Sequence, residues 1–359
     1  MKLFTCTQCH QVVFFESVTC VHCGQRLAYL PDSNAIAALE PVYGGQGTAS
    51  LYHAIGTANR YRLCENATQH SVCNWAVAER DDNRLCVACR LNRIIPDLRF
   101  EDAKEAWSRL EVAKHRLVYG LRELGLPIAS RYQNEPDLAF VFAADQAGQR
   151  VLTGHEQGVI TINIAEADAP FRERIRERLG EPFRTLLGHF RHESGHYYWD
   201  RLIKRNGYWL ARFRATFGDE RADYAQALKQ HYEQGGPPAD WRQWFISAYA
   251  SSHPLEDWAE SFAHYLHMVD TLDTAASYGM TLRPSALGGG QLDHTAARKV
   301  DFGSFEELVE AWVPLTLALN SLNRGMGLQD VYPFVLSEPA TRKLRFVHEL
   351  VRSASERPR

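Results

Sequence analysis

Five residues, His192-Glu193-Ser194-Gly195-His196, carry the most explicit chemistry in the chain. In a helix, the two imidazoles fall four positions apart on one face, with a carboxylate beside the first. Such a pair can fill two corners of a zinc tetrahedron, and Glu193 can take a proton from a water on the metal. Gly195 lets another segment, or a substrate, come close to the helix.

The site needs a third ligand. The metzincin continuation requires glycine at 199 and histidine at 202; Trp199 and Leu202 stand there and exclude it. A second helical stretch, residues 255–268, offers the alternative. Leu255, Trp258, Ala259, Phe262 and Leu266 form an apolar stripe, and Glu256, Glu260 and His264 line the face beside it. Acids next to such a stripe are expensive to bury unless paired or metal-bound. We take Glu256 as the third ligand. Glu260, one turn on, then accepts a hydrogen bond from the far nitrogen of a ligating histidine. From spacing alone the inverse assignment, Glu260 on the metal, stays open, with His264 behind it. The developing oxyanion needs a donor besides the metal. Tyr249, seven residues before Glu256, is the candidate, with His253, His264 and His267 in reserve.

The other ligand chemistry lies at the N-terminus, where all eight cysteines precede residue 90. Cys6-x-x-Cys9 and Cys20-x-x-Cys23 have the spacing of two zinc knuckles facing each other across a hairpin. Gly24 suits a turn that needs positive φ. Thirty residues cannot bury enough apolar area to fold without such a staple. Cys64, Cys73, Cys86 and Cys89 imply a second four-thiolate site, although only its second half has knuckle spacing. His70 could substitute in that shell, but four thiolates already complete it. His10 and His22 read as bystanders.

The positioning elements follow from periodicity and breakers. Residues 1–30 read as a zinc ribbon with a strand at 12–15. Residues 31–60 read as a connector, leading through 98 into the second cysteine module. From 99 onward a mainly helical unit is expected. It has an amphipathic helix at 101–125, a small sheet from strands at 138–142 and 159–164, and a mixed-charge helix at 171–178. The metal helix should start near Pro182 and run to about 205. Further helices are expected at 219–233, 241–250, 255–270, 304–322 and 340–353, with a loop at 281–303. Strand 159–164 could be an edge strand that pairs with extended substrate. The whole is α+β: four-cysteine modules, then a mainly α-helical domain with a small β-sheet.

Composition sets outer limits. The chain has 359 residues, 45% hydrophobic and 23% charged, with a formal net charge of -3, as in ordinary globular proteins. Residues 1–100 carry nearly balanced charge, which argues against a general nucleic-acid binder. The N-terminus shows no secretory h-region, and no run of about eighteen apolar residues could span a bilayer. A cytoplasmic setting is expected, and there cysteines favour metal over disulfides.

The paired C-x-x-C start, H-E-S-G-H at 192–196 and E-D-W-A-E-S-F-A-H-Y at 256–265 together resemble the bacterial zinc-binding metallopeptidases with an N-terminal zinc ribbon. The resemblance covers nearly the whole chain and implies gluzincin-like chemistry. The E-x-x-A-E segment is also similar to the E-x-x-A-[DE] of several gluzincin families. There the first acid binds zinc and the second supports a ligand, which implies those roles for Glu256 and Glu260. A tyrosine seven residues earlier has a counterpart in the toxin-type gluzincins, which implies a role for Tyr249. The resulting expectation is one catalytic zinc, one or two structural zincs, and a peptide or protein substrate. The ribbons would recognise substrate or a protein partner. The competing classes are a weakly active or silent zincin-fold binding protein and a hydrolase of non-peptide amides.

Overall fold

The computed structural model describes residues 2–43, 51–100, 102–128, 137–145, 150–173, 185–233, 236–283, 294–295, 303–332 and 336–355. Strands β1 (Phe4–Thr5) and β2 (Val12–Val13) form an antiparallel hairpin. The two knuckle turns bring Cys6 to Cys23 with sulfurs 3.7 Å apart, and Cys9 to Cys20 at 3.6 Å. Gly24 has φ +74°, and His10, the residue after the first knuckle, also takes a left-handed φ of 59°. His10 is therefore a turn residue rather than a ligand.

The stretch expected to be a connector is instead sheet. Strands β3 (Arg26–Leu30), β4 (Ala35–Val42), β5 (Leu51–Ala54), β6 (Arg60–Leu63) and β7 (Ala76–Ala78) form a five-stranded sheet in sequential order, every neighbouring pair antiparallel. In β4, Ile36 and Ala38 pack with the first cysteine hairpin, while Ala37 and Leu39 pack on the opposite face. A strand buried on both faces lacks the polar alternation by which a half-exposed strand is recognised. The short helix α1 (Glu65–Gln69) follows Cys64. Cys64, Cys73, Cys86 and Cys89 then gather into a second cluster, with every cysteine buried.

The chain leaves this cluster directly into β8 (Asn92–Ile94), which belongs to a different sheet. That four-stranded sheet also contains β9 (Ala139–Ala143), β10 (Gly154–Glu156) and β11 (Val159–Asn163), in the order β10-β11-β9-β8. Strand β11 runs parallel to β9 and antiparallel to β10. The expected edge strand, 159–164, is thus interior. The edge on that side is β10, a strand too short for its periodicity to register in the sequence.

Helix α2 (Ala103–Glu123) lies between the cysteine modules and the helical core. Trp107, Leu110, Ala113, Leu117 and Leu121 pack into the main core, while Val118 and Tyr119 join the cysteine-rich cluster. Its remaining buried face is polar. Lys114 and Glu111, both fully buried, pair at 2.8 Å. Glu111 also accepts from Trp107 Nε1 at 2.9 Å and from Asn92 Nδ2 at 2.6 Å. Asn92 at the start of β8 is thereby joined to the buried polar face of α2 beside the second cysteine cluster.

The described part of the metal helix, α3, spans Leu186–Tyr198. Its cap is Thr185, whose side chain accepts from Gly188 N at 3.0 Å. The Pro182 start and most of the 171–178 helix lie outside the described residues. A π turn at Trp199–Ile203 continues α3. Helix α4 (Gly207–Phe217) was not anticipated, although Trp209, Phe213 and Phe217 recur every four residues and are all buried. Helix α5 (Tyr224–Glu233) follows. The helix expected at 241–250 is replaced by two 3-10 turns, Trp241–Gln243 and Tyr249–Ser251. Between them the Ser247 hydroxyl accepts from Ala250 N at 3.1 Å, a local bond that competes with helix. Helix α6 (Pro254–Ser277) is longer than expected, starting on the His253 cap with Pro254 in its first turn. Strand β12 (Thr281–Leu282) pairs with β13 (His294–Thr295). The rest of the expected 281–303 loop lies outside the described residues, except residues 283 and 303. Helices α7 (Phe305–Gly325) and α8 (Glu338–Ser355) complete the core. Among the described residues no helix is long and apolar enough to cross a membrane.

Helices α3 and α6 cross at Gly195. A Cβ there would sit 2.9 Å from the Ala259 Cα, and Trp258 Nε1 donates to the Gly195 carbonyl at 2.7 Å. Because the obstruction is backbone, Gly195→Ala should destabilise the fold by about 1–3 kcal/mol. It should also weaken metal retention, as read by urea unfolding and metal content. A second prediction concerns the cysteine clusters. A chelator should strip the first, more exposed cluster before the second. Cys64→Ser with Cys89→Ser should lower the melting temperature of the whole chain, and Cys9→Ser with Cys23→Ser should do so much less.

Candidate metal centre

Helix α3 supplies the two histidines and the first turns of α6 supply the acids. His192 Nε2 lies 3.2 Å from His196 Nε2 and 3.0 Å from Glu256 Oε2, and His196 Nε2 lies 3.5 Å from Glu256 Oε1. These separations match the edges of a tetrahedron with bonds of about 2 Å, roughly 3.3 Å on a side. Glu256 is almost fully buried, and its Oε2 has no hydrogen-bond donor. Burial alone would raise its pKa, but the His196 and His192 imidazoles hold it well below the carboxylate range.

Glu260 is not part of this triangle. Its Oε1 lies 2.6 Å from His192 Nδ1. That bond puts the proton on Nδ1 and leaves the Nε2 lone pair facing the other two donors. Burial opposes ionisation of Glu260, yet the His192 bond outweighs it and brings the pKa down to about 2. The donor set of His192, His196 and Glu256 therefore fits a zinc ion, with no fourth side chain among the described residues closing the site. His264 stands apart, its Nδ1 bonded to the Tyr332 hydroxyl.

Glu193 points into the same cleft, a cavity of about 390 Å³ that also meets Gly154 and His155 of β10, Tyr224 and Tyr249. Tyr249 holds its ring 5.9 Å from that of His192 and shares a hydrogen bond with Tyr224. The Tyr224 hydroxyl donates to Glu256 Oε1 at 2.7 Å. Tyr224 escaped the sequence reading because nothing in the spacing of α5 relates it to α6. The reserve donors do not line this cleft. His253 caps α6 through Leu255 N at 3.1 Å, and His267 Nδ1 accepts from Arg191 on the opposite side of α3. That opposite side opens on a larger cavity, about 510 Å³, which contains the Arg191–Asp270 ion pair and no converging metal donors. Chemistry, not size, marks the site.

Two further groups were missed. His189, four residues before Glu193, has Nε2 at 3.2 Å from Glu193 Oε1 and Nδ1 at 2.5 Å from Glu166 Oε2. Burial would lower its pKa, but the Glu166 and Glu193 carboxylates push it up to about 9. The i, i+4 spacing of His189 and Glu193 was available in the sequence; the approach of Glu166 was not. At the second cysteine cluster, His115 of α2 places Nε2 at 3.4 Å from Cys73 Sγ and 3.7 Å from Cys89 Sγ. Its Nδ1 is anchored on the Glu111 carbonyl at 2.6 Å. Cys73 and Cys86 sulfurs lie 3.8 Å apart, close to the edge expected for four thiolates on zinc. His70 instead faces Trp107 and is not part of the cluster.

The two acids of α6 should separate in a metal-retention assay. Glu256→Ala should lose the α3 metal on dialysis, while Glu260→Ala should keep it with an affinity lowered by roughly 10–100-fold. Competition against a chelator of known strength distinguishes the two, and equal retention would reverse their roles.

The residues from the first cysteine to the last helix agree with two family models. Residues 3–100 match a zinc-ribbon domain, and residues 103–350 match a family described as "Putative zinc-binding metallo-peptidase". Uncharacterized proteins of Mycobacterium bovis and of two strains of Mycobacterium tuberculosis are each 40% identical over 352 residues, covering 98% of this chain and 95% of theirs. No solved structure matches the chain. With a triangle of candidate metal donors, two four-cysteine clusters and a match across more than half its length, the chain belongs to the family that carries this description.

Proposed function

We propose that this chain is a cytoplasmic, gluzincin-like zinc peptidase. The observation that carries the reading is the convergence of His192 Nε2, His196 Nε2 and Glu256 beside Glu193, whose Oε2 is buried without a hydrogen-bond partner. A purely structural metal site has no use for a carboxylate held in that position. His192, His196 and Glu256 would hold the catalytic zinc, and Glu260 would fix the His192 tautomer. When bound, zinc polarises water and the scissile carbonyl.

The remaining chemistry belongs to side chains and backbone. Glu193 takes the proton of the attacking water and hands it to the leaving amine. Tyr249 donates to the developing oxyanion, and Tyr224, bonded to both Tyr249 and Glu256, orients it. The outer edge of β10 offers backbone groups to an extended peptide laid along the cleft, the role first considered for 159–164. Each cysteine cluster would hold one structural zinc. The first ribbon, with Phe14 and Val21 exposed, is the part suited to a protein partner. The second is buried against α2 and serves the fold.

The test is metal analysis and a peptide-library assay on wild type and Glu193→Gln. About three zincs per chain are expected in both proteins. Cleavage should fall by roughly 10²–10⁴-fold in the variant. Equal cleavage by both removes Glu193 from the chemistry, and no cleavage by zinc-loaded wild type favours a silent binding protein instead.

A further inference from the structure

Behind Glu193 runs a line of buried groups that the peptidase mechanism leaves unused. His189 sits one turn earlier on α3, and each of its ring nitrogens faces a carboxylate: Nε2 faces Glu193 Oε1 at 3.2 Å, and Nδ1 faces Glu166 Oε2 at 2.5 Å. Glu166, in the turn after β11, is buried and itself held. Its Oε1 accepts from the Thr153 hydroxyl, and its carbonyl accepts from Arg172. Thr153 immediately precedes β10 and lines the cleft. Its hydroxyl also accepts from Asn163 N at 3.1 Å, tying it to the end of β11. The line thus joins three elements: the edge strand, the turn after β11, and the metal helix.

The consequence for Glu193 is asymmetric. Oε1 is engaged by His189, while Oε2 is buried with no hydrogen-bond partner. A glutamate side chain has several staggered rotamers, and a base that wanders among them spends little time in line with its water. We propose that His189, held by Glu166 and Thr153, is a positioning residue that clamps Oε1 of Glu193 and so presents Oε2 alone to the attacking water. The clamp also fixes the register between β10 and the base, so an extended peptide seated on that strand meets a correctly aimed Glu193. This deepens the peptidase reading and rests on it.

The experiment uses the zinc-loaded full chain and a reporter peptide from the library assay. His189→Ala should lower kcat roughly 10–100-fold with KM within about twofold and zinc content unchanged. His189→Gln, whose amide can still donate to Oε1, should recover most of the loss. Glu166→Gln should fall between them. A second readout does not depend on turnover. Proton NMR of the histidine ring N–H groups should show that Glu193→Gln moves one His189 proton and Glu166→Gln the other. A wild-type kcat in His189→Ala overturns the proposal. So does an equal loss in His189→Ala and His189→Gln that tracks melting temperature, because that is the signature of a merely structural residue. If zinc-loaded wild type cleaves nothing, the peptidase reading fails on its own. The ring protons still decide whether the clamp exists, and a His189 spectrum unmoved by Glu193→Gln rejects it.

Discussion

The close crossing of α3 and α6 is the constraint on which the rest depends. Gly195 presents bare backbone to Ala259, and Trp258 closes the contact by donating to the Gly195 carbonyl. With the axes that near, the start of α6 is brought alongside the histidines. Glu256 then reaches both Nε2 atoms while Glu260 reaches His192 Nδ1 on the other side of the same ring. A larger residue at 195 would separate the helices and withdraw one donor from the metal triangle. The same crossing buries the acids, and their burial is what forces them to be paired.

A second constraint operates at the other end of the molecule. The second cysteine cluster is continuous with the helical domain rather than appended to it. Cys89 passes directly into β8, an edge strand of the sheet that underlies α3, and His115 of α2 reaches back to the thiols. Lys114 brings positive charge near the cysteines, His115 reaches their sulfurs, and Glu111 balances Lys114 while accepting from Asn92. With its apolar residues divided between the main core and the cysteine-rich cluster, α2 is a shared wall between the two halves. The first ribbon also reaches α2, through Phe15 against Tyr119 and the Glu16–Arg116 ion pair at 2.6 Å, but its Phe14 and Val21 stay exposed and make it the freer surface.

The legibility of the sequence followed the range of the interactions involved. His192, Glu193 and His196 declare themselves because all three lie on one helical turn. Cys6, Cys9, Cys20 and Cys23 do so because knuckle spacing is a local property, as is the knuckle turn at Gly24. The choice of Glu256 over Glu260 needed the crossing geometry, since both acids share one face of α6. The five-stranded sheet at 26–78 was hidden because the first half of β4 is apolar on both faces and so lacks the alternation that marks a strand. The expected helix at 241–250 gave way to serine turns whose bonds no periodicity records.

What the sequence determined by itself is the chemistry available: two imidazoles and a carboxylate on one turn, two groups of four thiols, and a glycine where a helix must be approached. These are fixed by spacing along a single element, where the repeat of the helix or turn does the positioning. What only the tertiary structure decided is which distant residues complete each group: Glu256 with His192 and His196, Glu166 and His189 behind Glu193, Tyr224 beside Tyr249, and His115 at the second cysteine cluster. Those meetings depend on how closely two helices cross and on which strand ends at a sheet edge. Both are set by the packing of side chains far apart in sequence, so no local pattern encodes them.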